Sequence, residues 1–167
     1  MTTFQLDQNV NRKTLARRCF AEGRAVAKRF PVEWKMYDKG FKDPQLLPIV
    51  MAGNRPLVTN DRRIASDYAD IIPTANPGII IVGYPLGHIC PLRRGEIEKI
   101  IWDFKSRFPI WDSVTWSNSV VEITPEWVEV SHIDLGILNL DERIDYSDGW
   151  AEKLENHLKI NANKRLP

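Results

Sequence analysis

The sequence predicts an α/β fold: a small parallel sheet flanked by helices, followed by a β-hairpin and a terminal helix. Three observations carry this expectation. Strand-type and helix-type signals alternate over the first part of the chain, as they do in parallel sheets. "GIIIVGY", residues 78–84, is a continuous apolar run of the kind found in strands buried on both faces. "SVVEITPEWVEVSHI" places alternating runs on either side of Thr124-Pro125-Glu126, the pattern of a hairpin.

Each element has its own signal. "TFQLD" reads as a first strand. Asn11 then caps a helix through "RKTLARRCFAEG", where Leu15 with Cys19 and Ala16 with Phe20 repeat at helical spacing and Gly23 ends the run. "RAVAKRF" is a second strand, stopped by Pro31, and an irregular loop leads on to Lys42. Asp43-Pro44 opens a second helix with Leu46, Leu47, Val50 and Met51 on one side. "PLVT" is a third strand that runs out at Asn60-Asp61, and a short helix through "RRIASDYAD" follows. A longer amphipathic helix over residues 93–107 turns Ile97, Ile100, Ile101 and Phe104 inward. Near the end, Trp150, Leu154 and Leu158 mark a helix that packs on the core or on a second copy of the chain, which makes a homodimer one expectation. The segment "FPIWDSVTW" suits a core or an interface equally well.

The 167 residues suit one domain with a sizeable core. No apolar run approaches the roughly 18 residues of a membrane span, so no membrane partner is expected. The start lacks the basic-then-apolar layout of a secretion leader, and a cytoplasmic location is expected. Cys19 and Cys90 are too few and too far apart for a disulfide scaffold or a zinc site. Charge is uneven along the chain. Residues 1–66 carry 13 Lys and Arg against 6 Asp and Glu, whereas residues 67–167 carry 10 against 16. A basic half with a few isolated acids suits a polyanionic partner.

Those acids stand where strands end. Asp7 follows the first strand and Asp61 the third, and groups beyond the carboxyl ends of parallel strands gather at one edge of the sheet. Asp43 begins the helix leading into the third strand and is expected at the same edge. Carboxylates brought together repel one another unless a cation neutralises them. Mg²⁺ or Mn²⁺ suits an all-oxygen site, which activates water and stabilises charge on a phosphodiester. Asn9, Thr59 and Asn60 are neighbours suited to orienting a carboxylate or a water. Asp43 before a proline and Asp61 before Arg62 also read as helix caps.

These stretches resemble the short PIN-like proteins, related to VapC-type toxin nucleases and to the Mut-seven C-terminal RNase domain. "FQLDQNV" is similar to their opening "LLDENL", and "DKGFKDPQLLPIVMAGNRPLVTNDRRI" is similar to their D-x-G, D-x-x-(I/L)-L and G-R-x-L-V-T-x-D block. The likeness covers residues 4–84, and the helix near 93–107 more loosely. It implies a PIN-like domain over residues 1–110, with residues 111–167 as an extension packed on it. It also implies a metal-dependent endoribonuclease that uses Asp7, Asp43 and Asp61 on Mg²⁺ or Mn²⁺. Asn9 and Asp38 match supporting positions. As the toxin of a toxin–antitoxin pair, the chain would take an antitoxin protein as partner. Gln8 replaces a frequent glutamate and Ile64 a frequent aromatic. A fourth acid has no clear counterpart, Glu33 and Asp38 being the local candidates. The alternative implied by that gap is a non-catalytic PIN-like module binding RNA or protein. Arg12, Lys13, Lys39, Lys42, Arg62 and Arg63 flank the acids and suit an RNA backbone.

Overall fold

The computed structural model describes residues 2, 4–7, 47–48, 50–84 and 92–164. The expected first helix and second strand, Cys19, Cys90 and the loop before Asp43 lie outside the described residues. Six strands form one sheet in the order of the chain: β1 (Gln5–Leu6), β2 (Leu57–Thr59), β3 (Ile79–Val82), β4 (Val120–Ile123), β5 (Trp127–Asp134) and β6 (Ile137–Asp145). Neighbours from β1 to β4 are parallel, and β4, β5 and β6 are antiparallel. The protein is therefore α/β, but the sheet is mixed rather than parallel. The hairpin read from Thr124-Pro125-Glu126 joins β4 to β5, and β4 is itself the fourth parallel strand. The Thr124 hydroxyl closes that turn by accepting the N–H groups of Glu126 at 3.2 Å and Trp127 at 3.0 Å.

Strand β6 was not foreseen. Its turn, Leu135-Gly136, has positive φ at both positions (50° and 73°), the backbone of a two-residue hairpin loop. Leucine is a rare choice there. The strand itself is polar and half-exposed, and a register shift opposite Val130/Ser131 interrupts its alternation.

Three helices are described: α1 (Ile64–Asp67), α2 (Arg94–Arg107) and α3 (Trp150–Ala162), and residues 47–48 and 50–51 are also helical. Two apolar clusters result from the period-two alternation of the strands. Phe4, Leu6, Val58, Ile80, Val82, Val121 and Ile123 pack with Ile97, Ile100, Ile101 and Phe104 of α2 and with Leu154 and Leu158 of α3. On the other face, Leu57, Ile79, Ile81 and Val120 pack with Leu47, Val50, Met51 and Ile64. Both faces of β3 are covered, as its unbroken apolar run requires.

The Trp-rich segment is core. Phe108, Trp111 and Trp116 are buried, Trp111 stacks on Phe4 at 4.7 Å between ring centroids, and Trp116 Nε1 donates to the Trp111 carbonyl at 2.8 Å. Thr2 N–H adds a bond to the Asp112 carbonyl. This segment thus holds down the short strand β1, and with it the residue that follows, Asp7. At the far end, His132 Nδ1 and Asp141 Oδ1 meet at 2.7 Å, Asn161 of α3 donates to Asp141 Oδ2 at 3.0 Å, and His157 of α3 meets Glu142 at 2.7 Å. These contacts tie α3 to β5 and β6.

Candidate functional site

At the carboxyl ends of β1 and β2 one hydroxyl group joins the Asp7 carboxylate to the main chain of Asp61. Thr59 Oγ1 donates to Asp7 Oδ2 at 2.6 Å and accepts the Asp61 main-chain N–H at 3.0 Å. Thr59 is fully buried, so its hydroxyl has a fixed position and satisfies both groups at once. Parallel pairing of β1 with β2 is what puts Asp7 beside Thr59: Leu6 lies opposite Val58, and Asp7 N–H donates to the Val58 carbonyl at 2.9 Å.

Asp61 also shapes the turn that follows. Its Oδ1 accepts the Arg63 N–H at 3.1 Å, and its carbonyl accepts Ile64 N–H. It therefore caps the turn before α1, while the residue preceding the helix, Arg63, makes no side-chain cap bond. The second carboxylate oxygen of Asp61 receives no hydrogen bond from the described residues. Asn60 donates from Nδ2 to the Val82 carbonyl at 2.7 Å and so ties the ends of β2 and β3 together. Asp43, Asn9, Asp38, Arg12, Lys13, Lys39 and Lys42 lie outside the described residues. Among the described residues no group of three or more His, Cys, Asp or Glu side chains is placed to hold a metal ion.

The two described arginines of the expected RNA-binding set are in ion pairs. Arg63 pairs loosely with Asp67 at 3.4 Å, one helical turn on. Arg62 Nε reaches Glu122 Oε1 at 2.5 Å, and its guanidinium lies 5.3 Å from the centre of the Tyr84 ring. Glu122 was missed in the sequence because "VVEI" reads as a hairpin arm with one solvent-facing residue. In the sheet it stands opposite Ile81 and leans across β3. A glycine at position 83 makes room for it: a Cβ there would overlap the carboxylate and sit 2.9 Å from both Glu122 Cγ and Thr124 Cγ2.

Burial pushes the Glu122 carboxyl above the usual carboxylate range, outweighing the opposing pull of Arg62. Across the window above its ordinary value, the folded chain holds a proton there that the unfolded chain has released. Ionisation of this group therefore removes stability as pH rises. In urea denaturation at a series of pH values, the stability of wild type minus that of Glu122→Gln is expected to fall as pH climbs through that window. A difference that stays flat or rises would mean that Arg62 governs the group.

A cavity of about 430 Å³ opens at the opposite end of the strands, between Thr2, Arg55, Pro77, Asp112, Thr115 and Ser117. It contains none of the acids at the carboxyl edge. No protein-family model, no curated protein and no solved structure matches the chain. Among the described residues no helix is long and apolar enough to cross a membrane.

Proposed function

We propose that the chain is a divalent-metal-dependent endoribonuclease of PIN-like type, acting as the toxin of a toxin–antitoxin pair. The observation that carries this reading is the Thr59 hydroxyl, which links Asp7 to Asp61 at the ends of adjacent parallel strands. Carboxylates and a hydroxyl make a hard, all-oxygen donor set, which fits Mg²⁺ or Mn²⁺. Asp7 and Asp61 would hold the ion, with Asp43 as the third ligand that the resemblance supplies. When bound, the ion supplies an activated water and neutralises charge that builds on the phosphate. The chain's own part is orientation: Thr59 fixes one oxygen of Asp7, the turn at Arg63 fixes Asp61, and Arg62 offers a cation beside them.

Calorimetric titration of Mn²⁺ tests the reading on wild type and the Asp7→Asn/Asp61→Asn double variant, with circular dichroism as a check on folding. Saturable binding in wild type, lost in the folded variant, is the expected result. Binding absent from wild type both with and without an RNA oligonucleotide would overturn it and leave a non-catalytic module.

A further inference from the structure

We propose that the outer edge of β6 is where two copies of this chain join, strand against strand and antiparallel, about a two-fold axis at Asn139.

Strand β6 is the last of the six, so no strand lies beside its outer edge among the described residues. That edge is guarded over only half its length. From Asp141 onward it carries features that discourage pairing: Asp141, Glu142, Arg143 and Asp145, with the register shift opposite Val130/Ser131. From Ile137 to Leu140 it carries no charge. Apolar side chains gather there instead. Leu135 in the turn is 83% exposed, Ile137 63% and Leu140 60%. Ile160, one helical turn beyond the His157 that meets Glu142, is 60% exposed. These are four of the six large apolar side chains exposed among the described residues, so the exposure is concentrated at this edge.

The hairpin fixes which backbone groups face outward. Asp134 and Ile137 close the two-residue turn and exchange their bonds, as do His132 and Asn139 two residues on. Leu138 and Leu140 alternate with them and turn their N–H and C=O groups to the open edge. Neither makes a main-chain hydrogen bond elsewhere among the described residues. Asn139 donates from Nδ2 to the Ile137 carbonyl at 2.9 Å, so its side chain is tied along its own strand and does not block the edge.

This pattern matches itself. An antiparallel copy centred on Asn139 sets Leu138 opposite Leu140 of the second copy, and Leu140 opposite its Leu138. The outward groups of each strand then meet those of the other. The four leucines come together on one face, where Leu138 already packs against the cluster around Ile133. Charge agrees with the same register. Asp141 falls opposite Ile137 and no acid faces an acid, whereas parallel pairing would set Asp141 against Asp141 and Glu142 against Glu142. At the other edge of the sheet β1 has only two residues, too few to receive β6 head to tail. The association is therefore isologous and closes at two copies.

Sedimentation equilibrium on the full chain, over a series reaching about 0.5 mM, would compare wild type with Leu140→Lys. The wild-type mass is expected to rise towards twice that of one chain. Leu140→Lys, at an exposed position, is expected to weaken association at least about tenfold while leaving the melting temperature unchanged. Asn139→Cys tests the register. Facing positions of a non-hydrogen-bonded pair lie about 4.5 Å apart at Cα, so oxidation should link two copies through position 139, as peptide mapping would show. Ile137→Cys, whose opposite number is Asp141, should link far less. A wild type that stays monomeric throughout would overturn the proposal. So would a dimer that Leu140→Lys leaves intact, or one that links through position 137 as readily as through 139.

Discussion

Replacing Thr59 by valine is expected to lower stability by about 2–4 kcal/mol and to weaken Mn²⁺ binding about 10–100-fold, although the two side chains have nearly the same shape. The substitution removes a charge-assisted bond to Asp7 and leaves the Asp61 N–H facing a methyl group. Thr59 is fully buried, whereas Asp7 and Asp61 are half-buried, so water replaces only part of what is lost. Loss of stability follows from the hydrogen bonds alone. Loss of metal affinity follows only if Asp7 is a ligand whose orientation matters. Thr59→Ser separates the two effects. It keeps the hydroxyl and gives up one methyl, so it should cost under about 1.5 kcal/mol and bind Mn²⁺ as wild type does. Urea denaturation and calorimetry on the three proteins check this. A valine variant that is destabilised yet binds the ion normally would make Thr59 a fold element only.

Much of this frame is legible in the sequence where structure is local. Helix α2 follows from the spacing of Ile97, Ile100, Ile101 and Phe104, and α3 from that of Leu154 and Leu158; all six are buried. The buried strand β3 follows from its unbroken run of four apolar residues. Asp7 draws notice because an acid at the end of an apolar strand needs a partner. The unforeseen features depend on distant pairing. Nothing near "VVEI" says that its glutamate will stand beside β3, some forty residues earlier, facing a glycine and an arginine. Strand β6 hides behind a leucine in a left-handed turn and behind a bulge that breaks its pattern. The parallel registers that set Thr59 opposite Ile81 and Ile81 opposite Glu122 join segments distant in the chain, and no local signal sets them.

Gly78→Ala is expected to be among the most damaging small changes in the chain, costing about 4 kcal/mol and lowering the melting temperature by about 10 °C. Gly78 has φ +103°, a conformation that strains any residue with a side chain, and an added Cβ would overlap the Trp116 carbonyl oxygen and lie 2.9 Å from Trp116 Cβ. Neither neighbour can yield easily. Trp116 is buried at 2% exposure, its indole is bonded to the Trp111 carbonyl, and the same segment stacks Trp111 on Phe4. Gly78 also sets the start of β3: its N–H donates to Asn76 Oδ1 at 3.0 Å, its carbonyl accepts Leu57 N–H at 3.0 Å, and Ile79 N–H donates to Ser119 at 2.9 Å. Moving it disturbs β2, β3 and β4 together, and the acids at their far ends depend on that alignment. Gly95→Ala is the counterpart. Its added methyl meets nothing within 4 Å, and alanine favours the helix, so this variant should gain up to about 1 kcal/mol. Differential scanning calorimetry of the two variants should therefore give shifts of opposite sign. Equal shifts would mean that Trp116 gives way to the methyl, and that the amino-end junction does not fix the spacing of β2, β3 and β4.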